Sequence, residues 1–190
     1  NMNCWLNADS NSFLDLEDIE KAVVDDFPRN NRRVYIGVDY SLFSDNTAIA
    51  FVYPYNDEEK WHIEQHSFIP WKTAGSIEAK EKQDGLNYRE LEKEGYCTIT
   101  SHPQGLINEV YEWIINYVEE HQLDVIFLGY DAMGVTKVIK ALELNTSFPL
   151  MPIRQRTSEL KDPTKFLQKI FVEGSVTRLD DKIMEKALIN

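Results

Sequence analysis

Positive charge is what this chain most lacks: 20 Lys and Arg stand against 32 Asp and Glu, a formal net charge of −12 over 190 residues. A field of that sign repels polyanions and argues against binding nucleic acid through bulk charge. Screening confines the field to about 8 Å at physiological salt, so a local basic strip or bound cations still govern a groove. Cysteine is nearly as scarce. Cys4 and Cys97 form no spacing motif, which leaves core or surface thiols in a reducing cytosol. No apolar run approaches ~18 residues, and no basic stretch precedes an apolar one at the N-terminus. Neither a membrane span nor a signal peptide is therefore expected. Internal repeats and low-complexity tracts are also missing.

Apolar mass is ample. Four Trp, nine Tyr and nine Phe in a chain that is 43% hydrophobic suffice to bury the core of one ordinary domain. Residues 1–30 differ in texture from the rest. The first dozen are polar, and Leu14, Leu16, Ile19, Ala22 and Val23 then fall at helical spacing and stop before Phe27-Pro28. This reads as a linker and lead-in helix, with residues 31–190 forming the domain.

Three strand-like runs follow, at 34–39, 47–53 and 61–69, joined by turn-rich segments that make them an antiparallel meander. Residues 70–94 are charged and largely helical, Gly95 is a plausible C-cap, and a short strand follows at 96–100. Leu106, Ile107, Val110, Ile114, Tyr117 and Val118 mark an amphipathic helix. It leads to a strand that ends at Asp131. Val135, Val138, Ile139 and Leu142 predict another helix, 150–153 a strand, Phe166, Leu167, Ile170 and Phe171 a helix, and 183–188 a last one. The order predicts an α/β fold with a mixed sheet flanked by helices. That order is compatible with a ribonuclease H-like fold and less so with a doubly wound one, which alternates from its start.

Two aspartates carry the chemistry. Asp39 closes Arg33-Val34-Tyr35-Ile36-Gly37-Val38, and Asp131 closes Val125-Ile126-Phe127-Leu128-Gly129-Tyr130. A carboxylate leaving a buried strand is expensive unless it is paired, protonated or bound to a cation. Two-metal phosphodiester cleavage needs carboxylates converging from separate elements, and hard oxygen ligands suit Mg²⁺ or Mn²⁺. From spacing alone, each aspartate reads more readily as a helix N-cap or turn residue. Asp45, in the loop after Asp39, is a candidate for direct or water-mediated metal contact, or a turn cap. Arg154 and Arg156 follow a strand and Lys165 opens the next helix, so they are placed to hold phosphates beside a cleft, with Lys161 nearby; a solvated surface is the alternative. His62 and His66 stand four apart on one strand face. No further Cys or His completes a zinc set, so they read as exposed strand residues. Glu78 to Lys82 reads as a solvated helix face.

Gly37-Val38-Asp39-Tyr40-Ser41, followed by Ser44-Asp45-Asn46-Thr47-Ala48, resembles the opening motif of the nuclease domain of tailed-phage large terminase subunits. The similarity continues through Phe68-Ile69-Pro70, Tyr88-Arg89, Glu94-Gly95-Tyr96, Tyr130-Asp131 and Arg154-Gln155. Asn3-Cys4-Trp5-Leu6 resembles the segment that joins that family's packaging ATPase to its nuclease. The ordered series carries far more than any single piece. The resemblance implies a ribonuclease H-like fold and a metal-dependent endonuclease that cuts concatemeric double-stranded viral DNA. It implies Asp39 and Asp131 as ligands of two Mg²⁺ or Mn²⁺ ions, and the portal and the small terminase subunit as partners, in the cytoplasm of a bacterial host. No G-x-x-x-x-G-K-[ST] phosphate loop occurs, so the ATPase is expected upstream and outside this chain. The family's third carboxylate is expected beyond Asn190. Two other readings stay open: a non-catalytic docking domain of the packaging motor, which suits the negative charge, and an actin-like ATPase, whose second phosphate turn Gly129-Tyr130-Asp131-Ala132-Met133-Gly134 loosely imitates.

Overall fold

A computed structural model describes residues 13–41, 45–56, 58–100, 103–132 and 136–190. Cys4, the Asn3-Cys4-Trp5-Leu6 segment, Ser44, Met133-Gly134 and Val135 lie outside the described residues.

The first element among the described residues is a short helix, α1 (Leu16–Lys21). Three strands follow: β1 (Arg33–Asp39), β2 (Thr47–Pro54) and β3 (Trp61–Pro70). They pair as the antiparallel meander that their turn-rich connections predict. Residues 70–94, expected as largely helical, hold two helices, α2 (Ile77–Asp84) and α3 (Tyr88–Lys93). The break falls at Gly85, which takes φ 67° and so ends α2 in the left-handed conformation that glycine adopts without a Cβ penalty. Then come β4 (Cys97–Thr100), the long helix α4 (Pro103–Glu120), β5 (Asp124–Asp131), α5 (Thr136–Asn145) and β6 (Leu150–Ile153). Helix α6 (Thr157–Val172), strand β7 (Val176–Arg178) and helix α7 (Lys182–Ile189) complete the chain.

The sheet is mixed, in the order β4-β3-β2-β1-β5-β6. β1 is central, antiparallel to β2 and parallel to β5. Strand β7, which the sequence pattern did not announce, runs parallel to the opening of β3 at Trp61, His62 and Ile63, while β4 pairs with its far end at 67–70. Among the described residues, the outer edge of β3 is thus bare of strand partners at Glu64, Gln65 and His66.

Side-chain alternation assigns the two faces. Val34, Ile36 and Val38 of β1 are buried with Leu106, Val110, Ile114 and Val118 of α4 and with Val138, Ile139 and Leu142 of α5. The helical positions recur at three- and four-residue spacing and so form one stripe against the sheet. Tyr35, Gly37 and Asp39 point to the opposite, more open face. A second cluster joins Leu14, Ile19 and Ala22 to Ile170, Phe171 and Val176.

His62 and His66 are buried, contrary to the exposed strand positions expected of them. His62 stacks on Phe27 at 3.8 Å and bonds Thr177 and Glu64; His66 stacks on Trp113 of α4 at 4.0 Å. Helix α4 and Phe27 cover this face of β3, which no pattern within β3 could reveal. Lys80 is buried too, inside the run expected to be solvated, and pairs with Asp84 at 3.1 Å.

Candidate active site

Strands β1 and β5 end at Asp39 and Asp131. Val34 pairs with Val125, but Tyr35 pairs with Phe127, so Ile126 is one extra residue on β5. From there the ladder runs Gly37 to Gly129 and Val38 to Tyr130, and the next residue on each strand is an aspartate. Without this bulge Asp39 would stand level with Tyr130, and Asp131 would turn to the other face of the sheet. The Tyr35 and Phe127 rings meet edge to face at 4.9 Å, as rows on a common face must. Neighbouring strands lie about 4.7–4.9 Å apart, so the two carboxylates are brought together on the open face.

They line one cavity of about 310 Å³. Its floor is made of small residues, Gly37, Ala48, Ala50 and Gly129, and its walls include Ile153 and Leu160. A Cβ at Gly37 would meet nothing within 4 Å, whereas one at Gly129 would lie 2.6 Å from Ile153 Cδ1. Gly129 therefore lets the β6 side chain close over the strand ends. Asp131 is half-buried, Asp39 is exposed, and Asp131 pairs with Ile153 across β5 and β6.

The other expected site residues fall at different distances from this centre. Asp45 is exposed in the β1–β2 connection and is not among the residues that line the cavity. Arg154 immediately follows Ile153, and its backbone N–H donates to Glu159 Oε2 at 3.2 Å. Gln155 lines the cavity, and Arg156 is the N-cap of α6. Both arginines are exposed and flank Gln155 in the chain, and neither lines the cavity. Lys165 does not open α6. The helix begins at Thr157 and carries Pro163 inside it, so Lys161 and Lys165 project from within an exposed stretch. At 1.5 Å per residue Lys165 sits roughly 12 Å along the helix from its start. Proline is most readily accommodated in a first helical turn, and Pro163 therefore favours a late start in sequence terms. The wall residues Ile153 and Leu160 were not legible in the sequence, because apolar residues on a short strand and an exposed helix carry no chemical signal.

Among the described residues no group of three or more His, Cys, Asp and Glu side chains is arranged to hold a metal ion. Two carboxylates still match what Mg²⁺ takes from a protein, since it keeps several waters and is bound through one or two carboxylates plus substrate phosphates. A second cavity, about 330 Å³, lies over the bare edge of β3 and contains neither aspartate; Glu64 and Asp181 line it. Glu64 is gripped by Arg29 and accepts from His62 and Tyr117. Burial alone would raise its pKa, but the hydrogen bonds from His62 and Arg29 outweigh that and hold it well below the usual carboxylate range. Gln65 borders both cavities.

A sequence model of one family, described as terminase large subunit, endonuclease domain, matches residues 1–190. Among solved structures, the crystal structure of the HK97 bacteriophage large terminase is similar, with a TM-score of 0.80 at 20% identity. The match covers 95% of this chain and 36% of that one, so the chain spans about a third of the length of the solved terminase. At that identity the likeness shows the fold, a ribonuclease H-like mixed sheet flanked by helices. No curated protein matches the chain.

Proposed function

The chain belongs to the terminase large subunit endonuclease-domain family, and on that premise we propose that it is a metal-dependent nuclease domain that cuts concatemeric double-stranded DNA during viral DNA packaging. The observation that carries this reading is the in-register placement of Asp39 and Asp131 on adjacent parallel strands, lining one cavity.

On this reading Asp39 and Asp131 are the protein ligands of two Mg²⁺ or Mn²⁺ ions, with Asp45 contributing from the β1–β2 connection. Such ions supply Lewis-acid stabilisation of charge on the scissile phosphate and acidify water. The chain's own part is to fix where this happens. The small floor residues leave room for a nucleic-acid backbone to approach the carboxylates. Arg154 and Arg156, on either side of Gln155, hold phosphates, where the forked guanidinium suits bidentate contact, and Lys165 adds a more distant point charge. These cations act within a Debye length, which is how a domain of net charge −12 takes a polyanion. The whole protein works in the cytoplasm of a bacterial host with the portal and the small terminase subunit, and no helix among the described residues is long and apolar enough to cross a membrane.

The test is cleavage of plasmid DNA by the full-length protein, with Mn²⁺ or Mg²⁺ and without ATP. The parent should nick and linearise the plasmid, and Asp39→Ala and Asp131→Ala should each abolish cutting. Variants that cut as well as the parent while still binding portal protein would replace this reading with that of a docking domain.

A further inference from the structure

The Tyr88-Arg89 pair, prominent in the sequence yet far along the chain from either aspartate, has no part in the site as described. Its place in the fold gives it one. The connection that leaves Asp39 is pinched at its base: Ser41 N–H donates to Thr47 Oγ1 at 3.1 Å, and that hydroxyl lies 3.2 Å from the Ser41 carbonyl, with Thr47 fully buried. One residue earlier, Asn46 Nδ2 donates to Tyr88 Oη at 3.3 Å. Tyr88 Oη donates to Asp84 Oδ2 at 2.6 Å, and Lys80 Nζ pairs with the same carboxylate oxygen at 3.1 Å. The Tyr88 ring is buried with Ile69, Leu91 and Cys97.

Packing alone would be served by phenylalanine, and a buried hydroxyl is unfavourable unless it is bonded. Proton accounting then gives this one a direction. Tyr88 has a single proton, which it donates to Asp84, and its oxygen is left to accept from Asn46. That fixes the Asn46 amide with its NH₂ towards α3, and Asn46 directly follows Asp45. The chain from Lys80 through Asp84 and Tyr88 thus ties the α2–α3 hairpin to the end of the connection that carries Asp45.

We propose that Tyr88 is a positioning residue, which with Asp84 and Lys80 holds Asn46, and through it Asp45 at the end of the connection that leaves Asp39, for the metal-dependent reaction. The inference rests on the nuclease reading above. Its test is a Mn²⁺ titration followed by the rise in melting temperature, for the parent, Tyr88→Phe, Asn46→Ala, Asp45→Asn and the Tyr88→Phe/Asp45→Asn double variant. Tyr88→Phe keeps the ring and leaves the Asp84–Lys80 pair intact, and Asn46→Ala removes the same bond from the side outside the core. Each should raise the Mn²⁺ concentration for half-maximal stabilisation roughly 2- to 10-fold, the range set by one neutral hydrogen bond. Asp45→Asn should do the same, and the double variant should need no more Mn²⁺ than Asp45→Asn alone. A Mn²⁺ midpoint unchanged in both Tyr88→Phe and Asn46→Ala, or additive losses in the double variant, overturns the positioning role. An Asp39→Asn control that responds to Mn²⁺ as the parent does overturns the nuclease site itself, a result distinct from the first two.

Discussion

Asp39 and Asp131 stand one residue beyond Val38 and Tyr130, the last paired rung of β1 and β5, so both carboxylates leave the same face of the sheet on neighbouring strands. This relationship depends on the single extra residue Ile126, which advances β5 by one position before the ladder reaches the strand ends.

Gly129 is required by the close approach of β6. Gly129→Ala sets its Cβ against Ile153 Cδ1, the mobile end of a side chain. The expected loss is about 1 kcal/mol in urea unfolding, as Ile153 shifts rotamer. Gly129→Ala combined with Ile153→Val, which lacks that methyl, should lose less than the sum of the two single changes. Gly37→Ala, with open space around its Cβ, should change stability by less than about 0.5 kcal/mol.

Asp181 should make stability fall with rising pH in mild acid. Its Oδ1 caps α7 through the Ile183 and Met184 amides and its Oδ2 accepts from Gln65, yet burial dominates and pushes the carboxyl up to about 6. A carboxyl that holds its proton more tightly when folded contributes stability fully present below the unfolded pKa and lost as pH rises through the folded one. Between about pH 4 and 6 the parent should lose on the order of 2 kcal/mol from this source. Asp181→Asn, which keeps a capping oxygen, should flatten that slope. Glu64 acts in the opposite sense: its depressed pKa contributes stability above about pH 4.5 that is lost as pH falls further. Urea unfolding from pH 3 to 7 separates the two.

Arg154 should affect affinity without affecting the chemical step. On the proposed reading Arg154→Ala weakens binding to duplex DNA about equally for all sequences. The slope of log K against log salt should become shallower by about 0.9, the share of one phosphate. Fluorescence anisotropy across a salt series measures it. An unchanged slope places Arg154 outside the DNA path.

Much of this was legible in the sequence. Apolar runs that stop at an aspartate marked β1 and β5, and turn-rich connections marked the meander, because strand alternation and turn chemistry are local. The register that sets Asp131 level with Asp39 was not, since a one-residue bulge leaves no mark on a run that is apolar on both faces. Strand β7 escaped notice because its Val-Thr-Arg is too short for a period, and its arginine, normally a surface residue, is fully buried with Nε bonded to the Ile19 carbonyl. The role of Tyr88 was equally hidden: it depends on a contact between Asn46 and a residue 42 positions away.

The central claim is that Asp39 and Asp131 together hold a divalent ion, and the most direct measurement is paramagnetic broadening of amide resonances by substoichiometric Mn²⁺. Signals from residues 37–40 and 129–132 should disappear first, and Asp39→Asn and Asp131→Asn should each abolish this selective loss. Broadening centred instead on Glu64, Glu94 and Asp181 around the second cavity, or unchanged in both variants, would contradict it.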